Sequence, residues 1–148
     1  MADLIIKPAS GSDSLIFQDG AGTAVATIST NNVLYGKGVQ ETSTAISSSS
    51  GALTCNLQLG TYFSCTLTEN ITSVVPSNAT SGKLCAWTVK FTQHASSAKT
   101  ITYQAAVKFG AGVDHVMTAT TGSIDIVSFH TVDGGTTIFA GVQGSAFA

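Results

Sequence analysis

The chain has 148 residues, 43% hydrophobic and 9% charged, with a net charge of -2. That length holds one domain plus an arm and enough apolar surface for a proper core. Six Lys, no Arg and two Glu leave no basic stripe to grip phosphates, which argues against nucleic acid as a partner.

The charged fraction is far below the usual quarter of residues. What remains is a surface of hydroxyls and small apolar groups, poorly protected from association in an isolated monomer. An assembly that covers much of the outside is the natural setting for it. The opening Met1-Ala2-Asp3-Leu4-Ile5-Ile6-Lys7-Pro8 has no basic start followed by a long apolar run. No secretory signal is therefore expected, and no stretch reaches membrane-spanning length. In a Thr-rich chain the sequons at Asn70 and Asn78 read as chance.

From Met1 to about Gln40 short apolar bursts alternate with turns. Leu4-Ile5-Ile6 stops at Lys7-Pro8, because Pro lacks a donor and restricts its predecessor. Leu15-Ile16-Phe17 runs into the turn Asp19-Gly20-Ala21-Gly22. Val25–Ile28 and Val33-Leu34-Tyr35 follow. Strands of three to five residues do not fold alone. They either need a partner surface or add edge strands to the following domain, and both readings stay open. Glu41–Gly51, with four serines at 47–50, reads as a linker or exposed loop and as the boundary, so residues 1–50 form the expected arm with its linker and 51–148 the head.

In the head, Leu53, Cys55, Leu57 and Leu59 alternate with polar residues, and the alternation resumes in Phe63, Cys65 and Leu67. Folded as a hairpin around Leu59-Gly60-Thr61, the two runs would set Cys55 opposite Cys65. A further short strand is expected in Glu69–Val75, and a turn-rich loop in Pro76–Gly82. Lys83–Gln93 has the clearest period-2 signature: Cys85, Trp87, Val89 and Phe91 on one face, Ala86, Thr88, Lys90 and Thr92 on the other. It holds the sole Trp, the largest single apolar surface available to a core. The expectation is that Phe63, Cys65 and Phe129 pack on it, with Cys85 near the other two cysteines. His94–Ala98 reads as a turn into a strand at Thr100–Gln104. Ser123–His130 reads as an inner strand, and Asp133-Gly134-Gly135 as a hairpin turn into Thr136–Val142. No segment has useful helical periodicity, and Thr, Val and Ile are plentiful. The fold class is all-β: an antiparallel, jelly-roll-like β-sandwich head with an N-terminal arm of short strands.

Little chemistry is legible. None of the three cysteines has CxxC spacing, and all lie on apolar phases, so they read as buried thiols rather than a zinc or redox site. Asp114 and His115 face opposite ways on a strand, as do Asp125 and His130. No nucleophile elbow, HExxH or phosphate loop is present. Asp13, Asp19, Asp125 and Asp133 are candidate calcium ligands, but Asp19 and Asp133 precede turn glycines, where Asp has a local role. His94 and Tyr103 are placed to flank a sugar groove, although packing in the core or at its rim is the simpler fate of each. The reading is no enzyme, no cofactor and no metal.

Residues 60–147 resemble the small β modules of tailed-bacteriophage virion proteins, seen in tail fibres and capsid decoration proteins. The resemblance rests on Tyr62-Phe63 with Leu67, Asn70-Ile71-Thr72, Gly82, Trp87-Val89-Phe91, Gly110-Ala111-Gly112, Gly122 with Asp125 and Phe129, and Asp133-Gly134-Gly135. Leu4-Ile5-Ile6-Lys7-Pro8 and Leu15–Gly20 resemble the short strands of phage fibre shafts. Fibre versions usually end a much longer shaft, and here about forty residues precede the linker. The resemblance therefore implies first a capsid decoration (cement) protein on the virion surface, assembled in the host cytoplasm. Its implied partners are the major capsid protein and copies of itself, as a trimer, with no membrane involved. Leu4, Ile5, Ile6, Leu15, Ile16 and Phe17 are the expected interface residues of the arm. The alternative is a tail-fibre or tail-tip module that binds a host receptor or glycan.

Overall fold

The computed structural model describes residues 15–18, 20–21, 24–28, 34–36 and 40–148. The protein is all-β. It divides into two compact units, Met1–Gln40 and Glu41–Ala148.

In the first unit, β1 (Leu15–Gln18), β2 (Ala24–Ile28) and β3 (Leu34–Gly36) form an antiparallel sheet in that order. Leu15 pairs with Ile28 and Phe17 with Ala26, and Ala26 pairs with Gly36 across β3. The expected strands at these positions are present. Leu4, Ile5 and Ile6 lie outside the described residues.

The second unit begins earlier than the expected boundary at Ser50. Glu41–Ser50 is part of the head, not a linker, because β4 (Thr44–Ala45) pairs in parallel with β6 (Tyr62–Thr66). Glu41 fixes the first residues of the head to the start of β6: its carboxylate accepts from the Thr61 hydroxyl at 2.6 Å and from the N–H groups of Thr61 and Tyr62. Those donors hold its acidity on the low-pKa side. Ser50 and Gly51 then both take positive φ (52° and 78°), closing a two-residue turn with reciprocal bonds between Ser49 and Ala52.

From there the chain alternates between two sheets. β5 (Ala52–Asn56) pairs in parallel with β7 (Ser73–Ser77), while β6 pairs in parallel with β8 (Ser81–Thr92). Each parallel pair needs a crossover, and here the crossover is a strand of the other sheet. β8 continues antiparallel to β10 (Ile124–Asp133), β10 to β11 (Ile138–Phe147), and β11 in parallel to β9 (Val107–Phe109). The main sheet thus runs β4-β6-β8-β10-β11-β9 and is mixed, where an antiparallel head was expected.

The hairpin proposed for Leu53–Leu67 does not form. β5 and β6 sit in different sheets, and their dry faces meet through side chains rather than backbone. An apolar/polar alternation states which face is dry, and an arch between two sheets satisfies it as well as a hairpin. Cys55 and Cys65 are neighbours all the same: burial is the main cause that pushes the Cys55 thiol up to about 12, and the nearby Cys65 adds to it. Burial likewise raises Cys65 to about 11. Cys85, half-buried, stands apart from the core the other two share. All three are free thiols. At pH 8 a disulfide-exchange reagent such as dithionitrobenzoate is expected to titrate one thiol, Cys85, in the native chain. All three should react in guanidinium; fast native reaction of a second thiol would contradict the buried pair.

One core joins both sheets. Trp87, Val89 and Phe91 of β8 are buried and meet Phe63 and Cys65 of β6 on one side and Val127 and Phe129 of β10 on the other. Phe129 lies directly opposite Trp87, ring centroids 5.4 Å apart and nearly parallel. Leu53, Cys55 and Val74 come from the small sheet. The β10–β11 turn is the expected one. Gly134 and Gly135 take φ of 74° and 94°, and Asp133 accepts from the Thr131 hydroxyl at 2.8 Å and the Thr137 N–H at 2.9 Å.

The segment after β8 departs from expectation. Thr100–Gln104 is no strand partner of β8; Ile101 makes a single parallel bridge to Ile71. Gln93 is buried with every amide bond satisfied: it donates to the carbonyls of Lys99 and Thr118, and accepts from the N–H groups of His94 and Lys99. Gln104 uses its side-chain amide as a strand would, bonding both the N–H and the carbonyl of Val74 at 3.0 and 2.7 Å. Side chains here replace a ladder, which is why no alternation announced it.

Candidate functional site

Two features of the head carry polar chemistry, and they lie on opposite faces of the main sheet.

The first is buried. Along β10 the inward phase is Asp125, Val127, Phe129 and Thr131, so a carboxylate occupies a core position. It is fully satisfied. Oδ2 accepts from His115 Nε2 and from the Thr118 N–H, both at 2.8 Å, and Oδ1 accepts from the Ala146 N–H at 2.8 Å. His115 Nδ1 in turn meets the Tyr103 hydroxyl at 2.9 Å. An ionised carboxylate only accepts, so His115 donates to it from Nε2, and its Nδ1 is left to pair with the Tyr103 hydroxyl. Burial is the largest single influence on Asp125 and opposes its charge. The Thr118 and Ala146 N–H groups with His115 together outweigh it and leave the pKa lowered. Tyr103 moves the other way, its phenol made less acidic chiefly by burial and further by Asp125 and Asp114.

Hydroxyl, imidazole and carboxylate in a row have the connectivity of an acid–base relay. The hydroxyl end, however, is enclosed and its proton is held more tightly than usual. What the row does is mechanical: it ties the 113–118 loop to β10 and to the C-terminal end of β11. It also inverts the loop's polarity. His115 and Met117 point inward, while Val113 and Val116 are exposed.

The second feature is the outer face of the main sheet. Here β8 presents Leu84, Ala86, Thr88 and Lys90, and β10 presents Ile126, Ser128, His130 and Val132. Leu84 is 70% exposed and Phe139, on β11 opposite His130, is 46% exposed. A groove of about 460 Å³ runs along this face, lined by Thr61, Leu84, Ala86, Thr88, Ser128 and His130 over the backbone of Trp87 and Phe129. Thr88 Oγ1 and Ser128 Oγ bond each other at 3.0 Å, and His130 stacks on Phe139 with centroids 5.3 Å apart. At the C-terminal end of β11, Phe147 folds over Gly144, so a side chain at 144 would displace the Phe147 ring.

The expected site residues fall as follows. Leu15, Ile16 and Phe17 are in β1. His94 and Tyr103 flank no common groove. His94 Nδ1 instead accepts from the Ser96 and Ser97 N–H groups at 3.1 and 3.2 Å, while Tyr103 turns to His115. Asp114 is exposed beside buried His115, and Asp125 and His130 occupy opposite faces, as the strand period requires. Among the described residues no three His, Cys, Asp or Glu side chains are gathered as metal ligands; Asp125 and Asp133 each serve local hydrogen bonds. The His115–Asp125 pair was not foreseen. Its one sequence signal was an Asp in phase with Val127 and Phe129, which demands donors from elsewhere.

No protein-family model matches the chain, and neither a curated protein nor a solved structure matches it.

Proposed function

We propose that the chain is a structural protein of a tailed-bacteriophage virion, acting as a capsid decoration (cement) protein without enzymatic activity. The observation that carries this is the outer sheet face, where Leu84, Val132 and Phe139 are exposed on a head whose Tyr103–His115–Asp125 row is buried. Contiguous exposed apolar surface on a rigid sheet is a docking feature. The phage-module resemblance of residues 60–147 supplies the setting, and in it the head is a jelly-roll-like β-sandwich. In this reading the head sits on the major capsid protein as one of three copies around a local threefold axis. Arm strands, through Leu4, Ile5, Ile6, Leu15, Ile16 and Phe17, extend sheets of neighbouring subunits by β-augmentation. The bridges resist the pressure of packaged DNA, and each is permitted to be weak because many act together.

A second reading is favoured by the groove: a tail-fibre or tail-tip module binding a host receptor or glycan. Copy number in purified virions separates the two. Hundreds of chains per particle, measured against the major capsid protein, support the cement role; a handful ends it in favour of the fibre. Deletion of residues 1–40 is expected to leave a folded head, since Glu41–Ala148 has its own core, that no longer decorates shells. Full occupancy by the truncated head would remove the arm from the mechanism.

A further inference from the structure

The outer-face groove has a chemistry more specific than an apolar docking strip. No Lys, Arg, Asp or Glu lines it, so the groove offers no permanently charged partner for a phosphate, sulfate, carboxylate or ammonium. Nor is it a purely greasy slot. The Thr88–Ser128 pair shares one hydroxyl hydrogen and leaves the other, with spare lone pairs, for a ligand. His130 is exposed, and its ring plane is set by Phe139 behind it. Its nitrogens hold no hydrogen bond among the described residues, so both a donor and an acceptor are available. Thr61 closes one end with a hydroxyl oriented by Glu41. Beside these groups, Leu84 offers a bare apolar surface.

A ligand matching that set is uncharged, rich in hydroxyls, and apolar on one side. Those are the properties of a pyranose ring, whose axial C–H face is apolar and whose rim is hydroxyls. The volume, about 460 Å³, lies in the range of small-ligand sites and suits one or two rings rather than a long chain.

We propose that this groove binds a neutral saccharide of one or two rings. Its C–H face packs on Leu84 and the rim of the His130 ring, and its hydroxyls meet Thr88, Ser128 and the His130 nitrogens. The proposal rests on the receptor-binding reading of the head and names the ligand class for it. A shallow, open site of this kind binds in the mM range, about -4 kcal/mol, with multiple copies supplying avidity.

The test uses the full chain. Saturation-transfer NMR is run with maltose, cellobiose, lactose and chitobiose as neutral probes and sialyllactose as the anionic one. The expected result is saturation by at least one neutral disaccharide, weakened tenfold or more in His130→Ala and in Thr88→Val, with thermal midpoints unchanged. Should His130→Ala lower the midpoint, Ser128→Ala is read in its place. The proposal falls if no neutral probe binds, if binding survives these variants, or if sialyllactose alone binds. It also falls if Leu84→Asp changes the oligomeric state, because a second copy then occupies the groove. Binding of the fluorescently labelled chain to host cells is measured in parallel. Cell binding that persists in His130→Ala and Thr88→Val would keep the receptor reading while removing this groove from it.

Discussion

Replacing Asp125 by Asn is expected to destabilise the head by about 1–3 kcal/mol, the usual cost of leaving a buried donor unsatisfied. The two side chains are nearly the same shape, so packing does not drive the loss. All three partners of Asp125 are donors: His115 Nε2, the Thr118 N–H and the Ala146 N–H. An Asn amide must point its NH2 at one side of that set, leaving donor against donor where no water reaches. For a domain of this size each kcal/mol moves the thermal midpoint roughly 4–8 °C, so the shift is large and measurable by circular dichroism. The pH dependence is a separate check. Because the folded pKa of Asp125 is lowered, its stabilisation is fully present above the unfolded carboxylate value, about 3.9, and is lost as pH falls through the folded value. The gap between wild type and Asp125→Asn should therefore be widest near neutrality and narrow in acid. A gap that stays constant down to strongly acidic pH would mean that the carboxylate is not charged in the fold.

The same residue shows how far the sequence could be read. That Asp125 shares a phase with Val127 and Phe129 is a period-2 fact, visible without coordinates. That its partners are His115, Thr118 and Ala146 is not, because they lie in a loop and at the far end of β11, and nothing local encodes that meeting. The strands divide in the same way. Trp87, Val89 and Phe91 face inward as their spacing required, and the Asp133-Gly134-Gly135 turn formed because turn chemistry is contained in the turn. Pairing partners were legible only where such a turn dictated them. Between β5 and β6 the loop Leu57–Thr61 carries the chain to the other sheet, and alternation is blind to the difference.

Irregular stretches hid the most. Gln93 and Gln104 each replace several backbone bonds with a side-chain amide, so the 94–106 segment is ordered without strand or helix periodicity. A Gln in a loop carries no outward mark of such a role. The outer groove was hidden for another reason: its residues are ordinary wet-face positions of β8 and β10. Only the pairing of Thr88 with Ser128 and of His130 with Phe139 turns them into a surface with one chemical character.

Trp87→Ala should be the most damaging apolar truncation in the head, costing about 3–5 kcal/mol, while Trp87→Phe should cost about 1 kcal/mol or less. The contrast follows from a competition inside one side chain. Trp87 is 2% exposed and stacked on Phe129, so truncation to Ala removes the stack and opens a cavity the two sheets cannot collapse into. Yet its buried Nε1 has no oxygen or nitrogen acceptor, only the Cys55 sulfur, which accepts weakly. An unsatisfied buried donor costs roughly 1–3 kcal/mol, most of it already carried by the wild-type fold. Phe keeps a ring against Phe129 and removes that donor, so the smaller volume and the regained desolvation nearly cancel. Denaturant midpoints for the three proteins, followed by circular dichroism because Trp87 is the only tryptophan, decide the matter. If Trp87→Phe proves as costly as Trp87→Ala, then the Cys55 sulfur satisfies the indole N–H after all, and it is the group to test next.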